Sequence, residues 1–407
     1  MSDDVVPNND ELENNQADDS DASKTSSGSA LLNLLNDYGY KRILDEPEPN
    51  FGLAENRPFP FLAMVGQTEM RTALLLAVVN PAIGGVLLIG PRGTGKTTAV
   101  RSLTGILPFT EVSLCDEDVL PADLEALSED EAKFLYPDCY DKWKRGERIS
   151  RFEPVKLVEL PLNAQIEDVV GSKNERAQAH RNVVRVERGI LARADKNLLY
   201  VDEVNLLDDQ IIDVILDAAA QGSYTVRRGV VAGTYYSRFV LIGSMNPEEG
   251  RLRPQILDRF GLRINVRGLM TTEERAEIYQ RVRAYRRNPT YFLRQYEEEI
   301  AITREEVAIA REILTETQIS DDIIRIGLEL VQDLNIDSHR AEYTMFEAAR
   351  AYCAADNRTE VSIDDLRVVA PMALRQRNSD FMSNFFDDQA KEDQQIETTI
   401  NTILDKA

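Results

Sequence analysis

Lys96 and Thr97 close the stretch Gly90-Pro91-Arg92-Gly93-Thr94-Gly95-Lys96-Thr97, which matches G-x-x-x-x-G-K-[ST]. Glycines at these places let backbone N–H groups turn inward around phosphate oxygens. The lysine then reaches the β- and γ-phosphates, and the threonine hydroxyl sits on Mg²⁺. At Thr98 the loop runs into a helix-forming segment, whose N-terminus adds partial positive charge toward an anion. An apolar strand is expected just before the loop, over 86–89. Strand, glycine loop and helix in that order separate a phosphate cradle from an ordinary glycine turn, so ATP with Mg²⁺ is the expected ligand.

Three further positions fit the same chemistry. The run Leu198-Leu199-Tyr200-Val201 leads into Asp202-Glu203. Asp202 is the candidate to hold the Mg²⁺ through water, and Glu203 to polarise the attacking water. Another apolar strand, over 238–246, ends on Asn246. An amide at the C-terminal end of a parallel strand lies where such sheets place their ligands, and could orient that water. The plainer reading is a turn-forming Asn before Pro247. Arg259, next to Asp258, is a candidate arginine finger, because a guanidinium stays charged and binds phosphate oxygens bidentately. Taken alone, it reads as a surface ion pair.

The elements that must position these groups follow from periodicity. A helix over 69–79, with Thr68 as N-cap, stops before Pro81. Residues 117–148, with the only tryptophan, Trp143, read as an inserted loop with one short helix, and 155–160 as a strand. Residues 166–187 read as a strand–loop–strand insert. The cluster Arg176, His180, Arg181, Arg185 and Arg188 is there either a solvated face or a loop that grips a partner. A helix is expected over 208–220 and a hairpin over 224–233. From residue 271 the pattern turns helical, with helices over 273–287, 304–317, 321–334, 340–355 and 363–377. That change marks a separate helical domain.

The ends are different. Residues 1–30 are acidic, with Lys24 the only base, and read as a disordered solvating or docking tail; 30–40 could form a short amphipathic helix. The expected division is an acidic extension over 1–55, a P-loop domain over 56–268, a helical domain over 269–378 and an acidic polar tail over 379–407.

Composition narrows the function classes. The 407 residues carry a formal net charge of −23, which disfavours non-specific binding to nucleic acid or anionic membranes. No apolar run has the length of a membrane span, and the N-terminus resembles neither a secretory signal nor an Arg-rich transit peptide. A cytoplasmic protein is expected, or one of the plastid stroma if the organism has plastids. Three dispersed cysteines and two histidines suggest neither a disulfide framework nor a zinc site.

Together these motifs resemble the I subunit of magnesium chelatase, an AAA+ ATPase. The resemblance spans residues 58 to 377. It rests on Phe61-Leu-Ala-Met-Val-Gly-Gln-Thr-Glu-Met, the phosphate loop, Leu160-Pro-Leu-Asn-Ala, Gly189-Ile-Leu-Ala, Tyr200-Val-Asp-Glu-Val-Asn-Leu-Leu-Asp-Asp, Asn246-Pro-Glu-Glu-Gly, Leu252-Arg-Pro-Gln-Ile-Leu-Asp-Arg-Phe and Ser338-His-Arg-Ala. It implies an α/β fold, with a five-stranded parallel sheet between helices followed by a helical lid. It also implies that Val65 and Gly66 bind adenine, that Asn246 is the first sensor, that Arg259 reaches the neighbouring subunit's ATP, and that Arg340 is the lid's sensor arginine. The partners implied are further copies in a ring, a hexamer by the resemblance, a second AAA+-containing subunit and a large porphyrin-binding subunit. The implied activity is ATP-driven insertion of Mg²⁺ into protoporphyrin IX, on the route to chlorophyll. A chaperone-like AAA+ ATPase of the MoxR type, and a nucleotide-gated interaction module, are the alternatives. Glu203, a water-activating carboxylate, weighs against the second of these.

Overall fold

Leu87 and Ile89 of strand β1 (Val86–Ile89) belong to one apolar cluster, while Val86 and Leu88 belong to another. A strand buried on both faces belongs in a parallel sheet covered by helices, and its sequence is accordingly an unbroken apolar run. The computed structural model describes residues 31–32, 57–115, 119–173, 186–228, 231–250 and 252–377.

Helix α1 (Thr68–Val79) precedes β1, and α2 (Lys96–Leu103) follows it across the glycine loop. The hairpin β2 (Thr110–Ser113) and β3 (Ser150–Glu153) encloses three short helices, α3 (Pro121–Ala126), α4 (Glu129–Leu135) and α5 (Pro137–Lys144). Next come β4 (Leu157–Leu160), α6 (Ile166–Val170), the hairpin β5 (Gly171–Lys173) and β6 (Val186–Arg188), and α7 (Ile190–Ala194). Strand β7 (Leu198–Val201), helix α8 (Asp209–Gln221), the hairpin β8 (Ser223–Arg228) and β9 (Val231–Tyr236), β10 (Val240–Met245), α9 (Pro254–Arg259) and β11 (Leu262–Asn265) complete the α/β part. Five strands form one parallel sheet in the order β11-β1-β10-β7-β4.

The remaining elements are helices: α10 (Thr272–Arg287), α11 (Pro289–Arg294), α12 (Glu297–Glu316), α13 (Asp321–Asp333), α14 (His339–Ala355) and α15 (Ile363–Leu374). Apolar residues of α12 and α14 share one cluster with α1 and β1. Buried arginines tie the end of the lid to the sheet. Arg377 donates to Asp258 Oδ1 (2.7 Å) and to the Phe260 and Gly261 carbonyls, while Arg263 donates to the Arg375 and Gln376 carbonyls. Burial, with Arg377 nearby, pushes the Arg263 guanidinium down to about 9.

Several expectations change. Thr68 is the first helical residue rather than the N-cap. The cap position belongs to Gln67, in the left-handed region at φ 53°, whose side-chain amide instead donates to the Arg267 carbonyl at 2.5 Å. Residues 117–148 hold three helices, not one. Proline at the first turns of α3 and α5, and a Ser128–Glu131 capping box on α4, start them, and a small cluster around Leu124, Cys139 and Tyr140 holds them together. The 166–187 insert opens with the helical turn α6 before its hairpin. Arg176, His180, Arg181 and Arg185 lie outside the described residues, as does all but Leu31 and Leu32 of the helix expected over 30–40. Those two leucines are helical, and Leu31 is fully buried in the main cluster. Helix α12 starts earlier than expected, and α11, opened by Pro289 with an Asn288 side-chain cap, was not anticipated. Helix α15 ends at Leu374, short of Arg377.

Candidate active site

The parallel register brings the loops together. Ile89 lies opposite Met245, and Gly243 opposite Val201, so the phosphate loop, Asp202-Glu203 and Asn246 leave adjacent strands at the same end of the sheet. Arg92, Gly93, Thr94, Gly95, Lys96, Thr97, Thr98, Asp202, Glu203, Ser244, Met245 and Asn246 line one cleft of about 340 Å³. Glycine is required at two places in the loop for different reasons. A Cβ at Gly90 would stand 2.0 Å from the Val266 carbonyl oxygen, and Gly95 takes φ 88° at the start of α2.

Lys96 is buried and donates to the carbonyls of Gly90 (2.6 Å) and Pro91 (2.8 Å), folding the loop over its own ammonium. Burial lowers its pKa, and Asp202, Glu203 and Glu249 oppose that. Thr94 donates to the Pro91 carbonyl at 3.0 Å. Arg92 is largely exposed at the cleft mouth and bridges Glu203 (2.8 Å) and Glu249 (2.7 Å), and the hydrogen bond to Glu203 raises its pKa. Glu203 itself takes the left-handed backbone at φ 50°, an uncommon conformation for a non-glycine residue that recurs at functional sites.

Beneath the cleft, Tyr200 is buried, with its hydroxyl 3.1 Å from Thr97 Oγ1 and 2.8 Å from Asp202 Oδ1. Ser244 donates to the same Asp202 oxygen and accepts from the Glu203 N–H at 3.2 Å. Desolvation raises the Tyr200 pKa, so it stays a neutral phenol. Asn246 is buried, accepts from the Glu248 N–H at 3.3 Å, and lies at the cleft wall.

A second, more apolar cleft of about 440 Å³ adjoins the loop through Gly93, Thr94, Gly95 and Thr98. Val65 lines it, together with Phe59, Met64, Leu269, Ile278 and Tyr285. Gly66 is beside it at φ 60°, where a Cβ would strike the Leu269 side chain at 2.7 Å. The size and apolar lining suit a purine base. Hydroxyl and carboxylate oxygens at Thr97 and Asp202 suit a hard divalent cation that keeps waters and phosphate oxygens as its other ligands. The residues present therefore fit Mg²⁺ with a nucleoside triphosphate.

Two expected residues are not brought to this cleft. Arg259 pairs with Asp213 (3.2 Å) and Asp217 (2.9 Å) on α8. Arg340 is exposed in the first turn of α14, where its charge bears on Arg377. Ser338, just before that turn, donates to Asp258 Oδ1 at 2.9 Å, so α14 begins beside the residue preceding Arg259. Sequence reasoning missed Tyr200 and Ser244, whose roles depend on register across the sheet. It also missed Ile278 and Tyr285, contributed by the lid.

Residues 329–399 match the AAA lid domain family. A magnesium-chelatase subunit ChlI homolog of Methanocaldococcus jannaschii is 42% identical over 324 residues, covering 78% of this chain and 85% of the relative. The magnesium-chelatase 38 kDa subunit of Acidiphilium rubrum is 41% identical, covering 78% and 90%. A chain from a cryo-EM reconstruction of the BchI–BchD complex of magnesium chelatase is 38% identical, covering 79% and 96%, with a TM-score of 0.45. On the identity and coverage of the sequence relatives, the chain belongs to the magnesium-chelatase ChlI subunit family, with an AAA+ fold.

Proposed function

We propose that this AAA+ chelatase subunit hydrolyses ATP in a ring of like subunits. Its turnover would drive Mg²⁺ insertion into protoporphyrin IX, together with a second AAA+-containing subunit and a large porphyrin-binding subunit. Chlorophyll biosynthesis is the process this serves. The observation that carries the reading is the convergence of Lys96, Thr97, Asp202, Glu203 and Asn246 on one cleft beside a base-sized apolar cavity.

In this reading the loop N–H groups and Lys96 bind the phosphates, and Val65 and Gly66 flank the base. Thr97 and Asp202 hold Mg²⁺, which when bound neutralises charge on the β- and γ-phosphates. Glu203 accepts the proton of the attacking water, and Asn246 orients that water. For Glu203 to act, its carboxylate must leave Arg92, an exchange the exposed ion pair permits at small cost. Arg259 serves a neighbouring subunit's cleft in this scheme and Arg340 is the lid's sensor arginine; neither lines the clefts of its own chain.

The test is reconstitution with the other two chelatase subunits from the same source, following Mg-protoporphyrin fluorescence. Product that needs this chain and disappears with Lys96→Ala is expected. ATPase activity without product would leave an AAA+ ATPase with a different client.

A further inference from the structure

Asp202 meets two hydroxyls at one oxygen. Tyr200 and Ser244 both bond to Oδ1, and Oδ2 has no hydrogen bond among the described residues. An ionised carboxylate only accepts, so the single Tyr200 proton is committed to Asp202. The Thr97–Tyr200 contact at 3.1 Å must then use the Thr97 proton, with the Tyr200 oxygen as acceptor. Both lone pairs of Thr97 Oγ1 are left over, as is the Asp202 Oδ2. The chain Thr97→Tyr200→Asp202 therefore orients the two groups that would face a divalent cation, through a hydroxyl buried beneath them. Tyr200 is 1% exposed, so its hydroxyl bonds to these side chains rather than to bulk water.

We propose that Tyr200 is a positioning residue for the Mg²⁺ of Mg-ATP, its hydroxyl holding Thr97 and Asp202 with their unshared electron pairs toward the cation. The proposal rests on the cleft being a Mg-ATP site. Partners one shell out from a metal orient its ligands and raise their basicity, and their loss typically weakens metal binding about 10–100-fold.

Tyr200→Phe removes only the hydroxyl. Binding of a fluorescent ATP analogue to the full-length chain is measured first in EDTA, then across a titration of free Mg²⁺, for the native protein, Tyr200→Phe and Thr97→Ala. In EDTA, Tyr200→Phe should bind the analogue as the native protein does, which also shows that the variant is folded. The Mg²⁺ needed for half-maximal strengthening of binding should rise about tenfold or more. A purely structural tyrosine would instead weaken binding in EDTA too, or leave the Mg²⁺ requirement alone, and either result overturns the proposal. If Thr97→Ala raises the requirement and Tyr200→Phe does not, the Mg-ATP reading stands and the role of Tyr200 falls. If Mg²⁺ fails to strengthen binding to the native protein, the reading of the cleft falls and the proposal with it.

Discussion

Arg259→Ala and Glu203→Gln subunits should each be inactive alone and should recover activity when mixed. The structure sets the terms. Arg259 lines neither cleft, and its guanidinium pairs with Asp213 and Asp217 on α8, one-third exposed. Removing it should therefore leave nucleotide affinity unchanged. Exposed pairs of this kind contribute up to about 1 kcal/mol of stability, so the fold should survive. Turnover is another matter: an arginine finger is worth about 10³–10⁵ in rate, or roughly 4–7 kcal/mol of barrier. In a ring joined head to tail, a working interface needs Glu203 on one subunit and Arg259 on the next. Random mixing of equal amounts makes about a quarter of interfaces competent, whatever the ring size. The assay is phosphate release after the variants are combined as dissociated subunits and then allowed to assemble with ATP. Activity should peak near the equal mixture at about a quarter of the native rate. No recovery at any ratio, with mixed rings demonstrated, would refute a shared site. Weaker nucleotide binding by Arg259→Ala would show instead that Arg259 serves its own cleft.

Three further outcomes follow from packing. Leu31 is fully buried against the cluster shared by α1 and the lid, so Leu31→Ala should cost about 2–5 kcal/mol in urea unfolding, whereas removing residues 1–30 should leave ATPase activity and assembly intact. A neutral Leu31→Ala would refute that anchor. Gly261→Ala places a Cβ 1.9 Å from the Ile83 carbonyl oxygen and should lower stability by about 3 kcal/mol or more, while Gly105→Ala meets nothing within 4 Å and should be neutral to slightly stabilising; equal melting temperatures would contradict the close approach. The Cys353 thiol is buried, and burial pushes it up to about 11, so only about one part in a thousand is thiolate at pH 8; it should resist iodoacetamide until the chain unfolds, and rapid native labelling would be the contrary result.

The strands bearing the site were legible because each is a short apolar run ending at a glycine or a polar residue. Burial on both faces demands such a run, and parallel connection places its far end at the ligand. Capping was legible only where the side chain stays local. Ser362 caps α15 in a box with Asp365, three residues on, but Gln67 spends its amide on Arg267, a tertiary partner that no window around α1 contains. Helices α3 to α5 escape a periodicity reading because none is long enough to display a 3.6-residue period. Their signals are the prolines and the Ser128–Glu131 pair instead. The base-sized cavity was half legible: Val65 and Gly66 come from the segment before α1, but Ile278 and Tyr285 come from α10, and only tertiary folding unites them.

Tyr200 shows why a motif describes a site incompletely. In the sequence it is one more large residue in an apolar strand, and its three neighbours in β7 are indeed packing residues. Alternation sends Tyr200 to the face of the sheet that α2 covers, where it meets Thr97, while the strand's end carries Asp202 two residues on. Ser244 reaches the same carboxylate because β10 runs parallel to β7 with Gly243 opposite Val201. Two hydroxyls on one carboxylate oxygen are thus a product of register, strand direction and helix placement together. The same register explains why Arg259 is absent from the cleft. It sits at the end of α9, which leads into β11 at the opposite end of that strand from Asn265, so its own fold carries it away from the phosphate loop and toward the surface of α8. Under the proposed function Arg259 can therefore meet a nucleotide only in the cleft of a neighbouring copy, which is what the mixing experiment with Glu203→Gln tests.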